Sequence, residues 1–230
     1  MKIYGMLKLT LLDFPGKTAC TLFTGGCNLR CPFCHNASLV TELSGERPID
    51  ENEIFAFLKK RTGVLEGICI SGGEPLLMPD ISSFIKRVRE LGYLIKLDTN
   101  GTFPETLKEL VLDGLVDYVA MDIKNSPEKY AETVGLENFD ITPVAQSVEF
   151  LLQNNVPYEF RTTIVKELHT PQDIVSIGKW ITGAQGYFLQ QFKDSGNLIG
   201  SGLSACSSEE LNEMLQAVVP FVPNAEIRGI

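Results

Sequence analysis

The sequence predicts an α/β fold, a partial open (β/α)6 TIM-like barrel of parallel strands, on three observations. Short apolar runs alternate with segments of helical spacing along the chain. The runs are continuously apolar or nearly so, as parallel strands covered on both faces require. Six βα units can be counted in 230 residues, whereas a closed (β/α)8 barrel takes ~250. A doubly wound open sheet is the rival, because periodicity does not order strands.

Residues 1–17 precede the first unit and end in Leu12-Asp13-Phe14-Pro15-Gly16-Lys17, which suits an N-terminal flap or edge strand. Strands are expected at 18–24, 67–71, 93–97, 118–121, 158–164 and 187–191. Asp50 reads as an N-cap, with Ile54, Phe55 and Leu58 following at helical spacing. A helix over 80–91 is closed by Gly92, and Pro104 opens another that ends near Gly114. Thr142 and Pro143 open a helix to Asn154, and Pro171 one that ends near Gly183. Ser207 and Ser208 cap the last, with Glu209 and Glu210 in its first turn. Residues 18–206 thus form the βα units, and 207–230 a C-terminal helix and tail whose residues 225–230 suit a short final strand. No repeat or flexible linker divides the chain, so a single domain over 1–230 is expected.

There are 20 basic and 29 acidic residues, a formal net charge of −9. An acidic chain with no Lys/Arg cluster argues against nucleic acid as a partner. No apolar run is long enough for a membrane span, and the N-terminus has no signal-peptide pattern. A cytoplasmic location is expected, where thiols stay reduced and clustered cysteines mean metal or catalysis.

Such a cluster is Cys27-Asn-Leu-Arg-Cys31-Pro-Phe-Cys34, followed by His35 and Asn36. A cubane iron–sulfur cluster usually takes four thiolates. Three, with no fourth nearby, leave one iron open to a ligand. Zinc held by three cysteines and His35 is the alternative, although Cys34 and His35 are sequence neighbours and rarely converge without strain. Cys20, Cys69 and Cys206 are scattered and read as reduced, packed residues.

Site residues in parallel α/β folds come from the C-terminal strand ends. The cysteine segment follows the first strand and Ser71-Gly72-Gly73-Glu74-Pro75 the second. Asp98-Thr99-Asn100-Gly101 ends the third, Met121-Asp122-Ile123-Lys124 the fourth and Gln190-Gln191 the sixth. This co-location points to one composite site. Each motif also has a plain reading: Gly-Gly and Asn-Gly are turn dipeptides, and Asp122 with Lys124 is an ordinary ion pair. Arg161 lies mid-strand, where a charge needs a partner. A structural salt bridge and a fork to a ligand carboxylate suit it equally. His169 reads as a loop residue, and His35 as support for the cysteine segment.

Taken together, Cys27, Cys31 and Cys34, the Gly72-Gly73-Glu74 segment and Asp98-Thr99-Asn100-Gly101 resemble the signature of the radical S-adenosylmethionine (SAM) superfamily. Cys34-His35-Asn36 and Leu12-Asp13-Phe14-Pro15-Gly16 resemble its glycyl-radical enzyme activating enzymes, most of all the anaerobic ribonucleoside-triphosphate reductase activating proteins. The resemblance implies a [4Fe–4S] cluster on Cys27, Cys31 and Cys34, and SAM bound through Gly72, Gly73, Glu74, Asp98, Thr99, Asp122, Lys124, Arg161 and Gln190. It also implies a monovalent cation at Asp98, Thr99, Met121 and Asp122. The implied reaction is reductive cleavage of SAM to methionine and a 5′-deoxyadenosyl radical, which takes a hydrogen atom from a glycine of a partner enzyme. Flavodoxin or ferredoxin is the implied electron donor. A pyruvate formate-lyase-type activase, and a small-molecule radical SAM enzyme such as 7-carboxy-7-deazaguanine synthase, are the alternatives. A zinc-stabilised interaction domain is the non-enzymatic one.

Overall fold

Strand β1 (Ile3–Thr10) runs antiparallel to β2 (Ala19–Thr24), with Ile3 opposite Thr24 and Thr10 opposite Ala19. From β2 onward each strand pairs in parallel with the next: β3 (Gly67–Gly72), β4 (Leu94–Thr99), β5 (Tyr118–Asp122), β6 (Tyr158–Ile164), β7 (Tyr187–Gln191) and β8 (Ala225–Arg228). These are seen in a computed structural model that describes residues 1–43 and 45–229. The spatial order is the chain order, β1 to β8. A doubly wound sheet reverses its order at a switch point, so the open-barrel expectation holds and its rival falls. Among the described residues β1 and β8 are free edges. The edge strand expected in residues 1–17 and the final strand expected in 225–230 both form, although Ile230 lies outside the described residues.

Helices cross between the strands: α1 (Ala37–Thr41), α2 (Glu51–Arg61), α3 (Ile81–Arg89), α4 (Pro104–Leu112), α5 (Tyr130–Thr133), α6 (Thr142–Leu152), α7 (Pro171–Trp180) and α8 (Ser208–Val218). Asp50 caps α2 by accepting from Asn52 N, and Ser207 with Glu210 closes a capping box on α8. A second box, Thr170 with Asp173, starts α7. The sequence gives no sign of α1 or α5, which at five and four residues are too short to show a helical period.

The strands look uniformly apolar because their two faces are buried for different reasons. Ile68, Ile70, Ile95, Leu97, Val119, Phe160 and Leu189 face outward and pack under Ile54, Leu58, Phe84, Leu107, Val148 and Ile177 of the helices. The alternate residues, among them Ser71, Lys96, Asp98, Asp122, Glu159 and Arg161, face the concave interior. Below them Phe14 plugs the N-terminal end. Its ring lies 6.1 Å from that of Tyr118, and a Cβ on Gly67 would come within 2.8 Å of it.

Candidate active site

The loop after β2 carries the three cysteines and is fixed from several sides. Arg30 N–H donates to Val134 O (2.9 Å), Gly200 N–H to Pro32 O (2.8 Å), and Cys34 N–H to Cys31 O (3.1 Å). The Asn36 amide donates to Gly72 O at 2.9 Å, joining the Cys-His-Asn segment to the glycine pair. Cys27, Cys31 and Cys34 line one cavity of about 220 Å³ with Gly72, Gly73, Asp98, Thr99, Asp122, Lys124, Arg161 and Gln190. Cys20, Cys69 and Cys206 are buried free thiols that do not line it. Burial pushes the Cys31 thiol up to about 12, and raises Cys27 as well. Thiols so desolvated ionise only against a strong local positive charge, such as a metal centre supplies. Among the described residues no three His, Cys, Asp or Glu side chains are placed to hold one metal ion. The three thiols line one space, and a multinuclear cluster, which offers each thiolate its own iron, fits that donor set.

The glycine pair serves the chain's own packing. Gly72 has φ +115, and a Cβ on Gly73 would lie 1.9 Å from Gly26 O. Glu74 N–H donates to that same Gly26 carbonyl at 2.8 Å. The Glu74 side chain differs from expectation: it is fully buried and does not line the cavity. Its carboxylate accepts from Leu76 N–H (3.0 Å), Thr99 Oγ1 (2.9 Å) and Asn100 N–H (2.7 Å), so it ties the β3 loop to the β4 loop. Burial pushes its pKa up to about 7 against the pull of those three bonds. Met121 also stays out of the cavity. It is wholly buried on the outer face, and its thioether fills the space a Cβ on Gly101 would take.

The deep wall is charged. Arg161 Nε donates to Asp122 (2.9 Å) and its Nη1 reaches Asp98 (3.4 Å). Lys124 pairs with Asp122 at 3.0 Å, and Lys96 with Asp98. Burial opposes charge on Asp98, Asp122, Lys124 and Arg161. Arg161 and Lys124 nevertheless hold Asp122 below the usual carboxylate range, and Arg161 and Lys96 do the same for Asp98. In return Asp122 raises Lys124, and Asp122 and Asp98 raise Arg161. Arg161 forms the expected salt bridge and also lines the cavity. Two carboxylates meet three cations here, and one positive charge is left over.

Sequence reading missed Lys96, which is 1% exposed. Its signal was present: it lies two residues before Asp98, hence on the same strand face, and is a lone charge in an apolar run like Arg161. His169 lies in the loop after β6, as expected, but it is buried there, with Nε2 2.9 Å from Lys124 O and Nδ1 3.1 Å from Val165 N, so it clamps the backbone that presents Lys124. His35 lies exposed at the rim beside the Phe192 ring, 5.7 Å away. Gln191 turns away and donates to Cys206 O at 3.2 Å.

A parallel open barrel with three cysteines, a glycine pair and a charged wall at its C-terminal mouth defines a class of metal-cluster enzyme. Residues 21–181 match the radical SAM superfamily. A protein of Methanocaldococcus jannaschii named "Putative glycyl-radical enzyme activating enzyme" is 34% identical over 237 residues, covering 99% of this chain and 96% of its own. The pyruvate formate-lyase-activating enzyme of Staphylococcus aureus is 29% identical over 191 residues, 78% of this chain and 74% of that one. The crystal structure of Streptococcus suis SuiB bound to S-adenosylmethionine shares the fold. Its TM-score is 0.69 at 13% identity, over 91% of this chain and 52% of SuiB. The chain belongs to the radical SAM superfamily, among its glycyl-radical enzyme activating enzymes.

Proposed function

We propose that the protein binds a [4Fe–4S] cluster and SAM and generates a glycyl radical on a partner enzyme. The observation that carries this is the single cavity shared by Cys27, Cys31, Cys34 and the charged wall. When bound, the cluster with SAM supplies one-electron cleavage of the sulfonium and hydrogen-atom abstraction. The chain's own residues hold and orient. The three thiols anchor the cluster. Gly72 and Gly73 bring backbone to the cavity wall, where carbonyls accept from an ammonium group. The surplus positive charge of Lys96, Lys124 and Arg161 over Asp98 and Asp122 draws a carboxylate. Leu29 and Phe33, 2% and 3% exposed, line the cavity and keep water from it. A monovalent cation beside Asp98, Thr99, Met121 and Asp122 would have to displace the Lys96, Lys124 or Arg161 contacts, so the proposed SAM binding does not include it.

The partner proposed first is an anaerobic ribonucleoside-triphosphate reductase, with flavodoxin or ferredoxin as donor. The S. aureus relatives favour a pyruvate formate-lyase-like partner as the second reading. Anaerobic mixing with each candidate, SAM and reductant is expected to give a glycyl-radical electron paramagnetic resonance doublet. The doublet should vanish when the partner glycine is alanine. Deoxyadenosine formation driven by a small molecule, with no doublet on either partner, would overturn the reading. Cys31→Ala should strip the protein of iron and sulfide, whereas Cys20→Ala, Cys69→Ala and Cys206→Ala should not.

A further inference from the structure

Of the three cysteine sulfurs, only Cys27 Sγ has a hydrogen-bond donor among the described residues. Leu29 N–H reaches it at 3.4 Å and Asn100 Nδ2 at 3.7 Å. The Asn100 amide cannot be turned the other way. Its Oδ1 accepts from Thr102 N–H at 3.0 Å, a donor that offers no alternative, and from Thr102 Oγ1 at 2.6 Å. With Oδ1 so held, Nδ2 must face Cys27 and Asn28, whose Oδ1 accepts from it at 3.0 Å. Asn28 Nδ2 then donates to Thr102 Oγ1 at 2.9 Å and closes a ring of three side chains. Asn100 itself is buried, 6% exposed, and its backbone N–H is pinned by Glu74 at 2.7 Å. The DTNG turn is therefore shaped to present one amide donor to one cysteine sulfur.

We propose that Asn100 is a positioning residue that raises the reduction potential of the cluster by donating its amide to the Cys27 thiolate; this rests on the cluster assignment above. Reduction adds one electron to the cluster, and part of that charge falls on the thiolate sulfurs. An N–H donor stabilises the more negative state and makes reduction easier. A fixed donor at the sulfur stabilises that added charge where it arrives. The same asymmetry makes the iron on Cys27 electronically distinct from those on Cys31 and Cys34.

The test is potentiometric titration of the cluster, followed by electron paramagnetic resonance, with iron and sulfide measured alongside. Asn100→Ala and Asn100→Asp both remove the donor, and the aspartate keeps the oxygen that accepts from Thr102. Both should keep their iron and shift the midpoint to more negative potential. Asn28→Ala opens the ring but leaves the Asn100 donor, and should stay at the unsubstituted value. A shift in Asn100→Asp alone would mean that charge, not the hydrogen bond, moves the potential, and would overturn the proposal. So would an unshifted Asn100→Ala. Should the variants lose their cluster, the unsubstituted reduced enzyme decides. With 15N-asparagine, in H2O against D2O, pulsed resonance should find an exchangeable proton and a coupled asparagine nitrogen at the cluster, and their absence would overturn the proposal. No iron–sulfur spectrum in the unsubstituted protein would instead sink the cluster assignment.

Discussion

Arg161 sits between Asp122 and Asp98; two residues earlier on the same strand and face, Glu159 sits between Arg228 and Tyr118. The lower group is closed. Glu159 is 2% exposed, accepts from Arg228 at 2.9 Å and Tyr118 at 3.2 Å, and the Arg228 guanidinium covers the Phe188 ring. Phe14 then seals it from beneath against Tyr118. Its charges cancel, one acid against one base. The upper group opens on a cavity and has three bases against two acids. The same residue types thus build a structural floor and the proposed binding wall. What separates them is whether the charges cancel within the chain. Every base of the upper group has a partner, yet one positive charge is in excess, and uncompensated buried charge is costly; that excess is the proposed attraction for a ligand carboxylate.

Removing the plug tests the floor most severely. Phe14→Ala should cost about 3–5 kcal/mol, the range for a buried aromatic ring, read by denaturant unfolding. Iron and sulfide content should not change, because Phe14 is at the opposite end from the cysteines. Cluster loss in a folded Phe14→Ala protein would mean that the two ends are coupled, and the contrast would fail.

A paired substitution sharpens the contrast between wall and floor. Arg161→Ala should weaken SAM by about 1.5–3 kcal/mol, the range for a lost bond to a charged group, in an equilibrium titration. Glu159→Gln leaves Arg228 short of its carboxylate and should cost stability while sparing SAM affinity. Equal losses of affinity in both would make the lower group part of the site. Unchanged affinity in Arg161→Ala would make the upper group structural.

The smallest effect is one of pH. Glu74 titrates near 7 when folded and near 4.3 when unfolded. Its raised value means that its contribution is full below about pH 4.3 and is lost as pH rises towards 7, by up to about 1.4 kcal/mol per unit. Asp98 and Asp122 are depressed, so theirs is full above about pH 4 and is lost only in stronger acid. Between pH 4.5 and 7 the unsubstituted protein should therefore lose stability relative to Glu74→Gln. Parallel pH profiles for the two would show that the three donors keep Glu74 ionised throughout.

The positions of the strands, the edge strand, the cysteine spacing and the strand-end motifs were legible because each is a local pattern. Apolar runs mark strands, Ser207 and Ser208 with Glu209 and Glu210 after them mark a helix start, and parallel α/β topology sends strand ends to one side. The roles of individual side chains were less so. Glu74 and Met121 belong to motifs that line the site, yet one ties two loops together and the other fills the core. A strand alternates faces every residue, and a one-position difference in register decides which side a group meets. Gly73 read as room for a ligand, but its closest neighbour is Gly26 O from a loop 47 positions away. The ring of Asn28, Asn100 and Thr102 joins segments more than 70 residues apart. The sequence by itself determined which chemistry is present and at which end of the strands it lies. Only the tertiary structure decided which charges pair and which thiol receives a donor, because those depend on distances between segments that no local pattern encodes.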